Sequence, residues 1–362
     1  MGGRFYFQQL SCSVFPLLFA MCKVSERRLV GLFLLQCCLS FTYLISDFAF
    51  SIAPHRLFPL LQFFELPADA INFERSAENF GIRRVQSLMV LAQGSFFILL
   101  VIRNLRDFFS VKGIWLIPLS LIILTVGTLS GHRWFSLIVG LTLLFSAYGQ
   151  RFFDARNTLI CSGVLALMLL LTYAFADRLP LASQRALSFL PGIRIEEQAR
   201  GDASATLETR SFLRKIGWSL VPSYVWIGRG FGQSGYGDYS SQWDPTLLEL
   251  HLNQGKFYNG IIGLLVNTGV PGTVFMLLFL SAGTVLALKI MRFLRTHGCD
   301  DNFERLCTVL AGLWMANVIA FLFLHGDSEY AMKTFSLQSG LLLACHRCLT
   351  ERLKQQDMAV SV

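Results

Sequence analysis

A chain of 362 residues with 54% hydrophobic and only 15% charged residues, at a mean hydropathy of +0.53, is too apolar for a water-soluble domain. This excludes an ordinary soluble enzyme and identifies an integral membrane protein. The net charge of +8 would suggest nucleic acid in a soluble chain, but in a membrane protein excess Lys and Arg orient the loops, so no nucleic-acid partner is expected.

A spanning helix needs about 20 mostly apolar residues. Runs at 29–46, 84–102, 113–129, 134–149, 157–176, 260–288, 306–324 and 331–349 predict eight spans. The stretch 5–22 is a ninth candidate: Arg4 precedes it as in a signal peptide, but Gln8, Gln9, Pro16 and the lack of a small-residue cleavage site favour a retained segment. The expected fold is therefore an all-α polytopic membrane protein of eight or nine transmembrane helices. It comprises N-terminal helices (1–176), one long extramembrane loop with short amphipathic helices (177–258) and C-terminal helices (259–362), in one membrane domain. Of the nine cysteines, all but Cys299 lie in or beside apolar runs, without zinc spacing or a disulfide framework, and read as small hydrophobes.

Basic residues mark the cytoplasmic side. Five clusters fall on alternate sides of successive spans: Lys23, Arg27 and Arg28; Arg103, Arg106 and Lys112; Arg151 and Arg156; Lys289, Arg292, Arg295 and Arg305; Arg347, Arg352 and Lys354. Placing all of them inside leaves 47–83, the "LSGHR" turn at 129–133, the segment from 177 to about 258 and "HGDSEY" at 325–330 outside.

Within the long segment, the apolar residues Leu207, Phe212, Leu213, Ile216, Leu220 and Val221 recur at helical spacing across 205–226. This predicts an amphipathic helix on the membrane surface, with Arg210 and Arg214 four apart on one face. The glycine-rich 227–241 follows, as a binding loop or a plain surface turn. In "GKFYNGIIGLLVNTGVPGT", residues 255–273, Asn267, Gly269, Pro271 and Gly272 are expected to divide one apolar run into a short entry helix and a true span. His325, Asp327 and Glu329 read as solvated caps rather than metal ligands. No P-loop, GxSxG or HExxH occurs, which argues against nucleotide-driven or zinc-dependent chemistry.

Four stretches occur in a telling order: "TLSGHRWFSLIVGL" near 128, "LPLASQRALSFLPG" at 179–192, "LETRSFLRKIGWSLVPSYVWIGRGFG" at 207–232 and "FYNGIIGLLVNTGVPGTVFMLLFL" at 257–280. Over about residues 115–285 the chain resembles the O-antigen ligase and polymerase family of bacterial membrane glycosyltransferases. That family has a serine-rich turn with an arginine, a long periplasmic loop with an arginine and then Gly-x-Gly, and a His-Asn pair opening a helix that ends in Gly-x-x-Gly.

The resemblance implies a multi-pass protein of the bacterial inner membrane, its long loop in the periplasm. It would transfer a glycan from an undecaprenyl-diphosphate carrier to a lipid or glycan acceptor, without metal or other cofactor. Arg133 and Arg210 stand at the family arginines, where guanidinium groups can bind and stabilise a diphosphate leaving group. Arg214, Lys215, Arg229 and His251 are the further substrate-binding candidates, and Asn259 holds the asparagine position.

Tyr258 stands where the family has histidine. An imidazole titrates near pH 6.5 and a phenol near about 10, so Tyr258 is a poor resting base. Three readings stay open: His251 reaches the site from the loop, the family histidine only positions, or activity is altered. A lipid-linked-sugar transporter is the competing class, but it would favour mid-membrane charges and repeats that this sequence lacks. A catalytically degenerate assembly partner is the third.

Overall fold

Where water is absent the backbone must satisfy its own hydrogen bonds, and the sequence's apolar runs accordingly fall in helices. The computed structural model describes residues 2–52, 82, 84–110, 113–230, 252, 255–326 and 328–360. All regular structure among them is helical: α1 (Gly2–Met21), α2 (Glu26–Leu39), α3 (Thr42–Ile52), α4 (Gln86–Ile102), α5 (Leu116–Leu129), α6 (Arg133–Gly149), α7 (Ala155–Phe175), α8 (Leu181–Leu187), α9 (Glu197–Tyr224), α10 (Gly260–His297), α11 (Asn302–Ala320) and α12 (Ser328–Val360), with short 3-10 and π turns. Among the described residues, four stretches are long and apolar enough to cross a membrane: Glu26–Ala49, Ala155–Arg178, Gly260–His297 and Asn302–Leu324. Leu10–Met21, Gln86–Ile102, Leu116–Leu129 and Arg133–Gly149 are shorter apolar helices. The run at 331–349 lies in α12, which carries Lys333, His346 and Arg347.

The chain packs as two units, one of Met1–Leu29, Thr206–Arg292 and Leu310–Val362, the other of Val30–Ala205 and Phe293–Val309. In the second unit α4 packs on α3, α5 and α6, and Phe96, Leu100 and Val101 on α4 and Phe135 and Ile138 on α6 are buried. Asp47, buried in α3, accepts from Ser87 Oγ at 2.6 Å.

The ends of these helices gather in two sets. At one end, Val85 N donates to Ser130 O (3.1 Å), and Arg185 Nη1 of α8 donates to Gly131 O (2.8 Å). At the other end, Asn104 Nδ2 donates to Cys299 O (3.2 Å), Leu105 N to Gln150 Oε1 (3.1 Å) and Arg305 Nε to Val101 O (3.0 Å). Helices α4, α5, α6 and α7 therefore alternate in direction, and the loops after α4, α6 and α10 come together.

In the first unit, Trp314 is fully buried against Phe279 and Phe335, with ring centroids 5.8 and 5.1 Å away. Helix α1 packs along α12. Ser336 Oγ donates to Cys12 O, Arg347 Nη1 to Ala20 O (3.3 Å), and Arg352 pairs with Glu26, the first residue of α2.

Candidate functional site

Helix α9 begins at Glu197, earlier than the expected 205, and runs 28 residues. Its residues Leu220, Val221 and Tyr224 pack against buried Phe257, Ile262 and Val266 at the start of α10. Gly217 allows the approach: a Cβ there would lie 2.6 Å from Ile262 Cγ2 and 2.9 Å from the Phe257 ring. The helix is amphipathic as its spacing predicts. Part of its apolar face is used for packing within the protein, while Leu207 and Phe212 stay exposed.

This packing brings Arg210 to Tyr258. The guanidinium carbon lies 4.7 Å from the tyrosine ring centroid, a cation–π distance. Tyr258 holds φ at +52°, a left-handed backbone that is uncommon for a residue with a bulky side chain and is found most often where surrounding structure enforces it. The enforcement is visible on both sides. Phe257 is fully buried before it, and after it Asn259 caps α10, its Oδ1 accepting from Ile261 N and Ile262 N at 3.1 Å each. Gly326, at φ +61°, packs onto the same turn; a Cβ there would come 2.6 Å from Gly260 N. The carboxamide oxygen of Asn259 is thus committed to the helix N-terminus.

Helix α10 breaks at Gly269 (φ 66°, ψ −171°). Pro271 has no N–H to return to Asn267 O, and Val270 N turns away to Val225 O at 2.6 Å. Two carbonyls are released, and the glycine-rich segment after α9 takes both: Arg229 N donates to Val266 O (2.8 Å) and Gly230 N to Asn267 O (2.9 Å). Gly228 sits at φ +80°, and a Cβ on it would strike the Asn267 carbonyl.

The side chain of Arg229 completes this clasp. Nε donates to Asn267 Oδ1 (3.1 Å) and Nη2 to Leu252 O (2.8 Å), and the guanidinium lies 5.7 Å from the Phe257 ring centroid. Burial lowers its pKa, with Tyr224 acting in the opposite sense. Asn267 is 3% exposed, and its Nδ2 meets no acceptor among the described residues.

Of the sequence candidates, Arg210, Tyr258 and Asn259 therefore meet in the first unit. Arg214 follows one turn along α9, its Nε donating to Arg210 O (3.3 Å), and Lys215 beside it is exposed. Arg229 anchors the helix break. His251 and Asp327 lie outside the described residues.

Arg133 belongs to the second unit, where it opens α6. Nη2 donates to Ser188 Oγ (2.6 Å) and Nε to Arg185 O (3.3 Å). Arg185, which sequence reasoning missed, is 5% exposed and ion-paired to Asp202. Arg84 Nη2 stands 3.4 Å from both Asp202 oxygens. Burial, then the nearby Arg84, and further Arg133, draw the Arg185 pKa down to about 10 while Asp202 resists, so it remains cationic at neutral pH. Among the described residues, Arg84 and Arg185 both pair with Asp202, and Arg133 bonds to the turn that carries Arg185. Ser183, Gln184 and Arg185, in the short helix after Pro180, are all buried, and such polar groups must find partners inside. Among the described residues, no three His, Cys, Asp or Glu side chains come together as a metal site.

The chain matches no protein-family model, and no curated protein matches it.

Proposed function

We propose that the chain is a membrane glycosyltransferase of the O-antigen ligase and polymerase kind. It would take a glycan from an undecaprenyl-diphosphate carrier at the periplasmic face of a bacterial inner membrane and pass it to a lipid or glycan acceptor. The observation that carries this reading is the stacking of Arg210 on Tyr258 at the capped start of α10. Two positions picked out by the resemblance on separate elements are neighbours in one unit.

In the reaction, an acceptor hydroxyl oxygen bonds to the anomeric carbon while the bond from that carbon to the diphosphate breaks. The electron pair leaves with the diphosphate, and the hydroxyl proton passes to a base or to water. Charge develops on the leaving group, and Arg210 is placed to neutralise it without a metal. Tyr258, stacked under Arg210, orients the acceptor. The clasp at 225–230 and the Asn259 cap hold the turn that carries it.

The test is glycan transfer from an undecaprenyl-diphosphate donor in reconstituted membranes. The native chain should be active, Arg210→Ala should lose about 100- to 1,000-fold, and Tyr258→His should retain transfer. Unchanged transfer by Arg210→Ala at normal protein level would overturn the assignment. A native chain that is silent but gains activity as Tyr258→His would establish the alternative of a scaffold with its chemistry switched off, which the left-handed tyrosine at the histidine position favours.

A further inference from the structure

Away from the candidate site, the second unit gathers three arginines where α4, α6 and α10 end. Arg106 Nη2 donates to Arg151 O (2.9 Å), and Arg151 donates through Nε to Arg295 O and through Nη2 to Thr296 O (2.8 Å). The Arg295 guanidinium carbon lies 4.4 Å from the Tyr148 ring centroid, a cation–π distance. All three arginines are exposed. The carboxylates next to them in sequence are engaged elsewhere: Asp107 accepts from Asn104 N (3.2 Å), and Asp154 caps α7 through Asn157 N (2.7 Å). None of the three forms an ion pair among the described residues.

The cluster's depth can be read independently. Tyr148 and Phe153, beside the end of α6, and Ile114 and Trp115, at the start of α5, are exposed apolar or aromatic side chains at this same helix end. Of these, Tyr148 and Trp115 are of the kind enriched at the boundary between hydrocarbon and headgroups. The guanidinium groups therefore lie at headgroup level, where a phosphodiester is the commonest anion and Arg presents a planar fork matched to it. Arg151 also adopts φ +52°, an unusual backbone for a non-glycine residue, held in place by its two bonds to the last turn of α10.

We propose that Arg106, Arg151 and Arg295 form a binding site for the phosphodiester headgroup of an anionic glycerophospholipid. The site is separate from the glycosyltransferase reading and stands or falls without it. The lipid bridges the ends of α4, α6 and α10, its headgroup phosphate on the Arg106 and Arg295 edges and its chains along the apolar surface beyond Tyr148.

The experiment is native mass spectrometry of the full chain in detergent, titrated with phosphatidylglycerol and, separately, phosphatidylcholine. Phosphatidylglycerol should bind saturably and more tightly than phosphatidylcholine. The double variant Arg106→Gln/Arg295→Gln should bind it about 30-fold more weakly, from the loss of two charges near the headgroup. Arg156→Gln, which removes an exposed arginine of the same helix end from outside the cluster, should bind as the native chain does. Circular dichroism confirms that the variants are folded; should the double variant misfold, Arg295→Gln alone, which removes no hydrogen bond to backbone, provides the comparison. Equal affinity in cluster variants and native chain would overturn the site. So would an equal loss in Arg156→Gln, which indicates diffuse charge, or full displacement of the lipid by millimolar inorganic phosphate, which indicates a free-anion site.

Discussion

Gly269→Ala isolates the energetic contribution of the break in α10. The native φ of 66° and ψ of −171° belong to a region essentially reserved for glycine, and forcing alanine into it costs about 3 kcal/mol. The added Cβ would stand 2.7 Å from Trp226 O and 2.9 Å from Gly228 N, backbone atoms that can yield only if the whole 225–230 segment withdraws. Withdrawal forfeits the bonds from Val270 N to Val225 O, Arg229 N to Val266 O and Gly230 N to Asn267 O, each worth about 1 kcal/mol. The two routes are partly alternatives, since withdrawal relieves strain, so the expected loss is about 3–5 kcal/mol, a large share of the roughly 5–15 kcal/mol typical of a folded domain. Unfolding by sodium dodecyl sulfate titration from mixed micelles, followed by circular dichroism, measures it. Gly140→Ala in α6 is the control. Its Cβ meets nothing within 4 Å, so the substitution should be neutral or stabilising by up to about 1 kcal/mol. A Gly269→Ala chain within about 1 kcal/mol of native would refute the account of the break.

Asp202→Ala removes the carboxylate ion-paired with the buried Arg185 beside Arg84 and Arg133, and should destabilise the second unit by about 3–5 kcal/mol, read as a fall in melting temperature in detergent; an unchanged melting temperature would mean that Asp202 is not the partner that sustains Arg185. Burial first, then Glu304, pushes the Cys299 thiol up to about 12. A chain retaining only Cys299 should therefore resist maleimide at about pH 8 until denatured, whereas one retaining only the exposed Cys22 should label when folded. Rapid labelling of Cys299 in the folded chain would contradict its placement.

Most helices were legible because an apolar run must close its own hydrogen bonds wherever it lies, so composition alone selects helix. The run 134–149 and the helix Arg133–Gly149 differ by a single residue. The break in α10 was legible too, since Pro271 cannot donate and Gly269 can adopt what other residues cannot. Asn259 carried a double message. Placed as a family residue, it also immediately precedes an apolar helix, the ordinary signature of an N-cap, and the structure uses it that way.

The partnerships were not legible. Nothing local to Arg210 names Tyr258, because their meeting depends on Gly217 letting α9 close onto α10. Arg229 was read from its charge as a ligand for phosphate; its hydrogen bonds go to Asn267 and Leu252, and they arise from a helix break forty residues on, which no window around Arg229 contains. Arg185 was passed over within a quoted motif because burial of one polar side chain in a seven-residue helix depends on Gly131 and Asp202, both supplied from elsewhere.

The pairing of α1 with α12 bears on how the protein is made. Cys12 and Ser336 are bonded across 324 residues. At a synthesis rate of roughly 5–20 residues per second, those 324 residues separate the emergence of the two partners by about 15–65 s. During that interval the first helix has no α12 to pack on and must rest in lipid or against a chaperone, and the first unit closes only when the last helix arrives. Early termination anywhere before α12 therefore leaves α1 exposed, giving membrane quality-control proteases a mark by which an unfinished chain can be recognised.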